Sequence, residues 1–535
     1  LGISHRIAVV DATAAGKGKR RFTRDAIGCG VRSVCGVLEK NNISCKIFLA
    51  EDLLTKKIPA GYTSLFVSGM SMDTIAIKRV INLWRKNNKG IVVLGGPITS
   101  ELETSLLETK ADLIVIGEGE VTLNELLVSG FLESSDIKLL KDIPGVGYIN
   151  NQGKPIINSF RKYSSKDEFQ NFQASTRRIV DYPLYLSAKV YVECVRGCSN
   201  FGGTRIKLPD GRKCSECGYC ESDSLEDRAN CPESIPPGCG FCSVPSLFGP
   251  AKSRTVNQVV SEIQGLLQLG VKRIILSAPD FLDFGRDELI VPNPLINTSK
   301  PPANLKRIEE LLVSVTSLDQ IQEGKAWIET ENIKASLFTE RVAQILSKYL
   351  PNSSFSIGCE TGSEEHSRLL GRPNTPQEVF TAVKLAHKYG LRAHVYFIHS
   401  LPGQTKAYAE ETADFIRTLA SFIEKVTIYR FRPLPLSAFG DFPEPKPAIK
   451  NPESKIIADI ANEVNLSKKK NLIGDIVRVI ISEPNFRDEK GAMAYILRGG
   501  PMVAVQNARA RIGEIATVKI IRALSEKLVL GELLD

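Results

Sequence analysis

Seven of the chain's twelve cysteines fall between Cys198 and Cys242. Twelve thiols in 535 residues are too few for a disulfide scaffold, so this local density needs a local cause, and in a reducing compartment that cause is usually metal. The rest of the composition is that of an ordinary folded protein. Apolar residues make up 43% and charged residues 24%, which excludes disordered, collagen-like and mucin-like chains. Lys+Arg 69 against Asp+Glu 60 gives a net charge of +9, a mild bias toward anionic partners. No apolar run of membrane-spanning length occurs, and the start, LGISHRIAVVD, reads as a strand entering a basic loop rather than a cleavable signal. A cytoplasmic protein with no membrane insertion is the expectation.

Around the cysteines, the chain alternates β-rich and helical stretches. In residues 1–141, HRIAVVD, SCKIFLA, SLFVSG, GIVVLGG and ADLIVIGEGE alternate with helices, one through Lys78 to Lys86, the rhythm of a doubly wound, Rossmann-like parallel sheet in an α/β fold. Ser68, Gly69, Gly95, Gly96, Pro97, Gly117, Glu118, Gly119 and Glu120 follow its strands, where an open α/β sheet receives ligands. Residues 142–187 read as a linker with a hairpin at GVGYINNQGKPIINSF. From 188 to 450, βα units (VYVEC, VKRIILSAPDF, SSFSIGCETGS, LRAHVYFIHSLPG and KVTIYRFRPLP) with amphipathic helices at 255–269 and 375–389 predict a partial or full parallel barrel. Short glycine-punctuated strands in 468–535 predict a small all-β barrel. The basic runs 17–24 and 467–471 read as solvated loops.

Spacing divides the cysteine run into two groups. Cys214, Cys217 and Cys220 form C-x2-C-x2-C and Cys231 precedes a proline, the order of a ferredoxin cluster run. Four thiolates hold either a second 4Fe–4S cluster or a zinc ion, and the spacing serves both. Removing them leaves Cys198, preceded by Arg196-Gly197, and the pair Cys239 and Cys242 flanking Gly240-Phe241.

With residues 199–238 taken as an insertion, RGC…CGFCSVP resembles the signature of the radical S-adenosylmethionine (SAM) superfamily, Phe241 included. IILSAPDF, SIGCETGSEEHSRLLGR and VYFIHSLPGQT are similar in order to that superfamily's later strand ends, most of all to its methylthiotransferase branch. The resemblance implies that Cys198, Cys239 and Cys242 hold a 4Fe–4S cluster whose fourth iron binds SAM. Cys194 is the alternative to Cys198. It implies further that Ser277, Pro279, Asp280, Glu360, Thr361, Gly362 and Ser363 contact SAM and that Arg372 steadies its carboxylate. Asp280 and Glu360 acting only as helix caps is the competing reading.

The N-terminal sheet resembles the cobalamin-binding domain that precedes many such enzymes, its strand-end loops lying against the corrin. No D-x-H-x-x-G motif is present, and His5 reads as structural. The C-terminal barrel resembles a TRAM module, an OB-like RNA-binding domain. Residues 471–535 hold nine basic and eight acidic residues, no large excess of charge, so Arg478, Arg487, Arg498, Arg509 and Arg511 are the candidate RNA contacts, with a protein-protein or intramolecular docking barrel as the alternative. His394 and His399 read as packed structural residues, and Cys29, Cys35, Cys45 and Cys359 as buried hydrophobes.

Together these implications predict a cobalamin-dependent radical SAM methyltransferase acting on an unactivated carbon of tRNA or rRNA, fed by an electron donor such as ferredoxin or flavodoxin. The competing expectations are an RNA methylthiotransferase, which lacks here its N-terminal cysteine triplet, and a non-catalytic RNA-binding or assembly factor with a four-cysteine zinc site.

Overall fold

A computed structural model describes residues 5–20, 24–56, 59–485 and 487–534; residues 21–23 of the first basic run lie outside the described set. The chain divides into two compact units, Leu1–Val192 with Asn257–Val271, and Glu193–Val256 with Lys272–Asp535.

The first unit holds a seven-stranded sheet. Strands Ser44–Leu49, Arg6–Asp11, Ser64–Ser68, Val92–Gly95 and Leu113–Val115 run parallel in that spatial order, as the alternating pattern predicted. The hairpin at Val146–Ile149 and Pro155–Ile157 forms, but it adds antiparallel to Leu113–Val115 and so extends this sheet instead of linking domains. Helix Val256–Gln268, expected among the barrel helices, packs in this unit as well. The cause is a buried ion pair: the Arg32 guanidinium, fully enclosed, donates to Glu262 at 2.8 Å and to the Tyr191 carbonyl at 2.6 Å. A charge buried at that depth persists only when paired.

The second unit carries the partial barrel. Strands Arg273–Ser277 and Trp327–Thr330 pair in parallel, a bridge joins Asn332 to Ser356, and Ser354–Glu360, Arg392–His399 and Lys425–Arg430 continue the array. Every second residue faces the interior, which is polar in layers: Ser354 donates to Glu329, and above them Ser277 donates to Glu331 and Ser356 to Tyr396. A helix, Pro452–Asn471, follows the Pro-rich stretch. It absorbs Lys468, Lys469 and Lys470 into its last turn, where cations complement the helix dipole, so this basic run is helix and not the loop the sequence suggested.

Strands Ile476–Pro484, Ala492–Ile496, Met502–Val505, Leu528–Leu533 and Ile515–Ala523 close the C-terminal barrel, consistent with an OB-like module. It seats on the N-terminal ends of the parallel strands. Arg478 stacks on Trp327, Arg273 on Tyr495, and Trp327 shares an apolar cluster with Ile480 and Leu497. Among the described residues no helix is long and apolar enough to cross a membrane.

Candidate active site

The first cysteine sits on a loop whose sequence is dictated by crowding. Arg196 forks onto both oxygens of Glu193 at 2.8 Å, and Gly197 turns with φ +81 against Pro250, whose carbonyl oxygen lies 2.3 Å from where a β-carbon would stand. Only glycine fits there. Cys198 follows, its amide bonded to the Gly249 carbonyl. Cys194, the alternative ligand, is fully buried, its backbone bonded to Ser277 and Arg254.

Asn200 gathers the trio. Its backbone amide donates to Cys198 Sγ at 3.3 Å and its side-chain amide to Cys239 Sγ at 3.2 Å, while the Cys242 amide turns back onto the Cys239 carbonyl at 2.8 Å. Burial pushes the Cys198 thiol up, and burial with the neighbouring Cys239 and Cys198 charges pushes Cys242 up to about 12. Thiols so placed lose their protons only to a cationic partner, which is what an iron cluster supplies. The donor set therefore fits such a group. Among the described residues no three His, Cys, Asp or Glu side chains are grouped to hold a single metal ion.

Two cations flank the trio. Arg372 donates to Cys239 Sγ at 3.3 Å and to the Gly358 carbonyl at 2.5 Å, lies 3.7 Å from Glu360 and stacks over Phe241. Its expected role is to steady the SAM carboxylate; in this structure the guanidinium bonds a cysteine sulfur. Lys334 donates to Ser199 at 2.6 Å and Asp283 at 2.9 Å and lies 3.4 Å from Asp280. Burial opposes its charge, but Asp283, Cys198 and Asp280 hold the ammonium above its usual range. Asp283, which burial alone would raise, is brought below the usual carboxylate range by Lys334 and Arg286, whereas burial drives Asp280 up to about 6.

The predicted SAM contacts separate. Asp280 is fully buried and accepts from the amides of Leu282 and Lys334, so capping is what its carboxylate does; Pro279 beside it is exposed. Thr361 is buried against Thr412 and His366, the Gly362 amide bonds Thr412, and Ser363 caps helix Glu364–Leu369. Glu360 alone of that motif stays at the strand end. A bulge after Gly358 puts Glu360 at φ +70, a left-handed conformation costly for a side-chain residue and characteristic of functional sites. Burial raises its carboxyl.

Sequence reasoning missed Asn200, Lys334, Asp283, Glu331 and Tyr396. Glu331 receives the Ser277 hydroxyl at 2.6 Å, and burial raises its carboxyl and the Tyr396 phenol. The available signal was the unrecognised strand Trp327–Thr330, which ends one residue before Glu331. His399 is buried against Ser400, and His394 lies 3.7 Å from Glu424, both structural as expected.

In the first unit, Gly96, at φ +84, lets two loops touch: a β-carbon there would meet Ser68 Oγ at 2.8 Å and the Gly69 carbonyl at 2.9 Å. Above Gly95 there is open space, with Gly96, Pro97, Met70 and Met72 exposed along the same strand ends. An open, largely apolar shelf with backbone at its surface fits a flat macrocycle. Gly117 turns with φ +72, and Gly119 and Glu120 open the following helix, but Glu118 is buried and accepts from the Ser164 amide, which removes it from the shelf. His5 sits at the opposite, N-terminal end of the first strand, 3.3 Å from Glu133, so it offers the shelf no axial nitrogen.

Residues 230–416 match the Radical SAM superfamily. The chain carries a radical SAM domain. This radical SAM protein is 42% identical over 527 residues to the uncharacterized protein MJ1620 of Methanocaldococcus jannaschii, covering 98% of each chain. It is 24% identical over 258 residues to the ribosomal protein uS12 methylthiotransferase RimO of Thermosipho melanesiensis, covering 46% of this chain and 53% of that one. Its fold matches the radical SAM methyltransferase TsrM of Kitasatospora setae at a TM-score of 0.55 and 13% identity, covering 82% of this chain and 74% of TsrM. Such a domain implies a 4Fe–4S cluster and SAM.

Proposed function

We propose that this radical SAM enzyme methylates an unactivated carbon of a folded RNA, with cobalamin as methyl carrier. The observation that carries the reading is the open shelf at Gly95, Gly96 and Pro97, bordered by the half-buried Ser68 and Gly117, which suits a corrin; Gly69 is buried beneath it. A solved structure of TsrM contains cobalamin and a 4Fe–4S cluster. Bound cobalamin supplies a transferable methyl group, and the cluster supplies the electron that cleaves SAM.

The chain's own residues position and insulate. Cys198, Cys239 and Cys242 hold the cluster, and Arg372 neutralises its negative sulfur ligands from one side while Lys334 does so from the other. Glu360, Glu331 and Tyr396 present hydrogen-bonding groups at the strand ends, where SAM and substrate enter. A low-potential donor such as ferredoxin or flavodoxin feeds the site.

Exposed Arg487, Arg498 and Arg509 on the C-terminal barrel give an RNA its phosphate contacts. Arg478 is committed to Trp327 and Arg511 to Glu514, so those two candidates serve packing instead. The barrel sits at the end of the parallel strands opposite the cysteines. A seven-residue strand is roughly 23 Å long, so the RNA must be large and folded enough to reach around, as tRNA and rRNA are.

Similarity to RimO favours a methylthiotransferase as the second reading. Against it, Cys35 and Cys45 are buried and Cys29 precedes a helix, far from a three-thiol cradle on the shelf. Mass spectrometry of RNA nucleosides after anaerobic turnover tests the choice: gain of CH2 supports methylation, and gain of CH2S overturns it in favour of methylthiolation.

A further inference from the structure

The cysteine-rich insertion folds around a cavity of its own. Cys214, Cys220 and Cys231 line it together with Gly203, Arg228 and Pro237. Cys217 is exposed beside them, near enough for its charge to act on Cys220. Three of the four sulfurs thus border one space. A cube offers each sulfur its own iron, whereas zinc pulls four to one centre.

Two segments tie this cavity to the trio. At one end of residues 200–203, Asn200 donates to Cys198 Sγ and Cys239 Sγ at 3.3 and 3.2 Å; at the other, Gly203 packs against Cys220, whose Sγ lies 3.4 Å from where a Gly203 β-carbon would stand. The second segment runs from Pro237, in the cavity wall, to Cys239. The Gly238 amide bonds the Gly202 carbonyl at 2.6 Å and locks the segments side by side. Three residues span at most about 10–11 Å and two about 7 Å, so the two sulfur sets are close neighbours. The path is largely enclosed: Ser199, Asn200, Phe201 and Thr204 are buried, Gly202 and Gly203 are half-buried, and Gly371 closes over Gly203 so tightly that a β-carbon would stand 2.6 Å from its carbonyl oxygen. A short, bonded path suits electron transfer.

We propose that Cys214, Cys217, Cys220 and Cys231 hold a redox-active iron–sulfur centre that delivers electrons to the cluster on Cys198, Cys239 and Cys242. This rests on the reading of that trio as the cluster site. In each step one electron leaves the insertion centre, which is oxidised by one, and enters the trio's cluster, which is reduced by one. No bond or proton moves. A one-electron protein donor refills the insertion centre at its exposed Cys217 edge.

The test uses the full chain, reconstituted with iron and sulfide without oxygen, as wild type, as C198S/C239S/C242S and as C214S/C220S/C231S. Iron and zinc are counted, and dithionite-reduced samples are examined by electron paramagnetic resonance. The expected result is about eight irons in the wild type and about four in each variant, without zinc. The wild-type spectrum should show spin coupling that both variants lose. Zinc in C198S/C239S/C242S overturns the proposal and leaves the trio's cluster standing, as does a wild-type spectrum equal to the sum of the variants. An iron-free C214S/C220S/C231S, with native circular dichroism, instead defeats the trio reading. Cys217→Ser, at an exposed position, guards against misfolding: it should change the insertion centre's signal alone, and an unchanged signal overturns the four-cysteine assignment.

Discussion

Lys334→Met removes the ammonium that lies 2.9 Å from Asp283 and 3.4 Å from Asp280. Asp283 keeps Arg286, its other ion-pair partner. Asp280 keeps only two backbone amides on Oδ1, and its buried Oδ2 has no hydrogen bond. Its least costly response is to hold a proton. An acid whose folded pKa lies above the unfolded value of about 3.9 binds its proton more tightly when folded, so stability is greatest below 3.9 and is lost as pH rises toward the folded value. In the wild type that loss ends near Asp280's folded value of about 6, a total of about 3 kcal/mol. In the variant it continues, reaching about 5 kcal/mol by pH 7.5. The proton therefore adds about 2 kcal/mol to the damage at pH 7.5 and almost nothing at pH 5.5. Losing the charged hydrogen bond to Asp283 adds about 1.5–3 kcal/mol at either pH. The total is about 3–5 kcal/mol at pH 7.5 and about 2–3 kcal/mol at pH 5.5, in the range for a broken buried pair. The chain has two tryptophans, Trp84 in the first unit and Trp327 in the second, so urea unfolding in a Trp84→Phe background lets Trp327 report the affected unit. Adding Asp280→Asn to Lys334→Met removes the whole proton cost and should restore about 5 kcal/mol at pH 7.5 and about 2 kcal/mol at pH 5.5. A pH-independent loss, or no rescue, would refute the argument.

Gly371→Ala, at φ +73 and 2.6 Å from the Gly203 oxygen, should cost about 2 kcal/mol or more and lower iron retention at both cysteine groups, checked by unfolding and iron counting. Glu360→Gln should weaken SAM binding about tenfold by equilibrium dialysis while leaving iron content unchanged, because the carboxylate faces Arg372 and not a cysteine. Replacing Arg487, Arg498 and Arg509 with alanine should reduce the salt dependence of RNA binding by about two to three units of slope, since each is exposed, Arg509 while also donating to the Glu489 carbonyl.

The strand rhythm made the first unit's parallel sheet legible, because buried strands such as RIAVVD are continuous apolar runs bounded by turns. The hairpin was visible too, but its pairing with Leu113–Val115 was not: edge addition depends on which strand has an open side, and no local pattern states that. Helix Val256–Gln268 looked like any amphipathic barrel helix, and only the distant Arg32 decides where it packs. Lys468, Lys469 and Lys470 read as a loop because a basic run suggests solvent, although cations also suit a helix end. At the site, cysteine spacing separated the two thiol groups before any coordinates. Asp280, Thr361 and Ser363 sit in capping and packing bonds, since short polar residues after strands cap helices as readily as they bind ligands. Asn200, Lys334 and Tyr396 went unseen because their roles come from partners dozens of residues away.

The most direct measurement of the account is the yield of 5′-deoxyadenosine from SAM by anaerobically reconstituted, dithionite-reduced protein, compared with its Cys239→Ser variant. The account predicts steady formation by the wild type and none by the variant. Equal yields from the two, or none from a wild type that carries its iron, would contradict it.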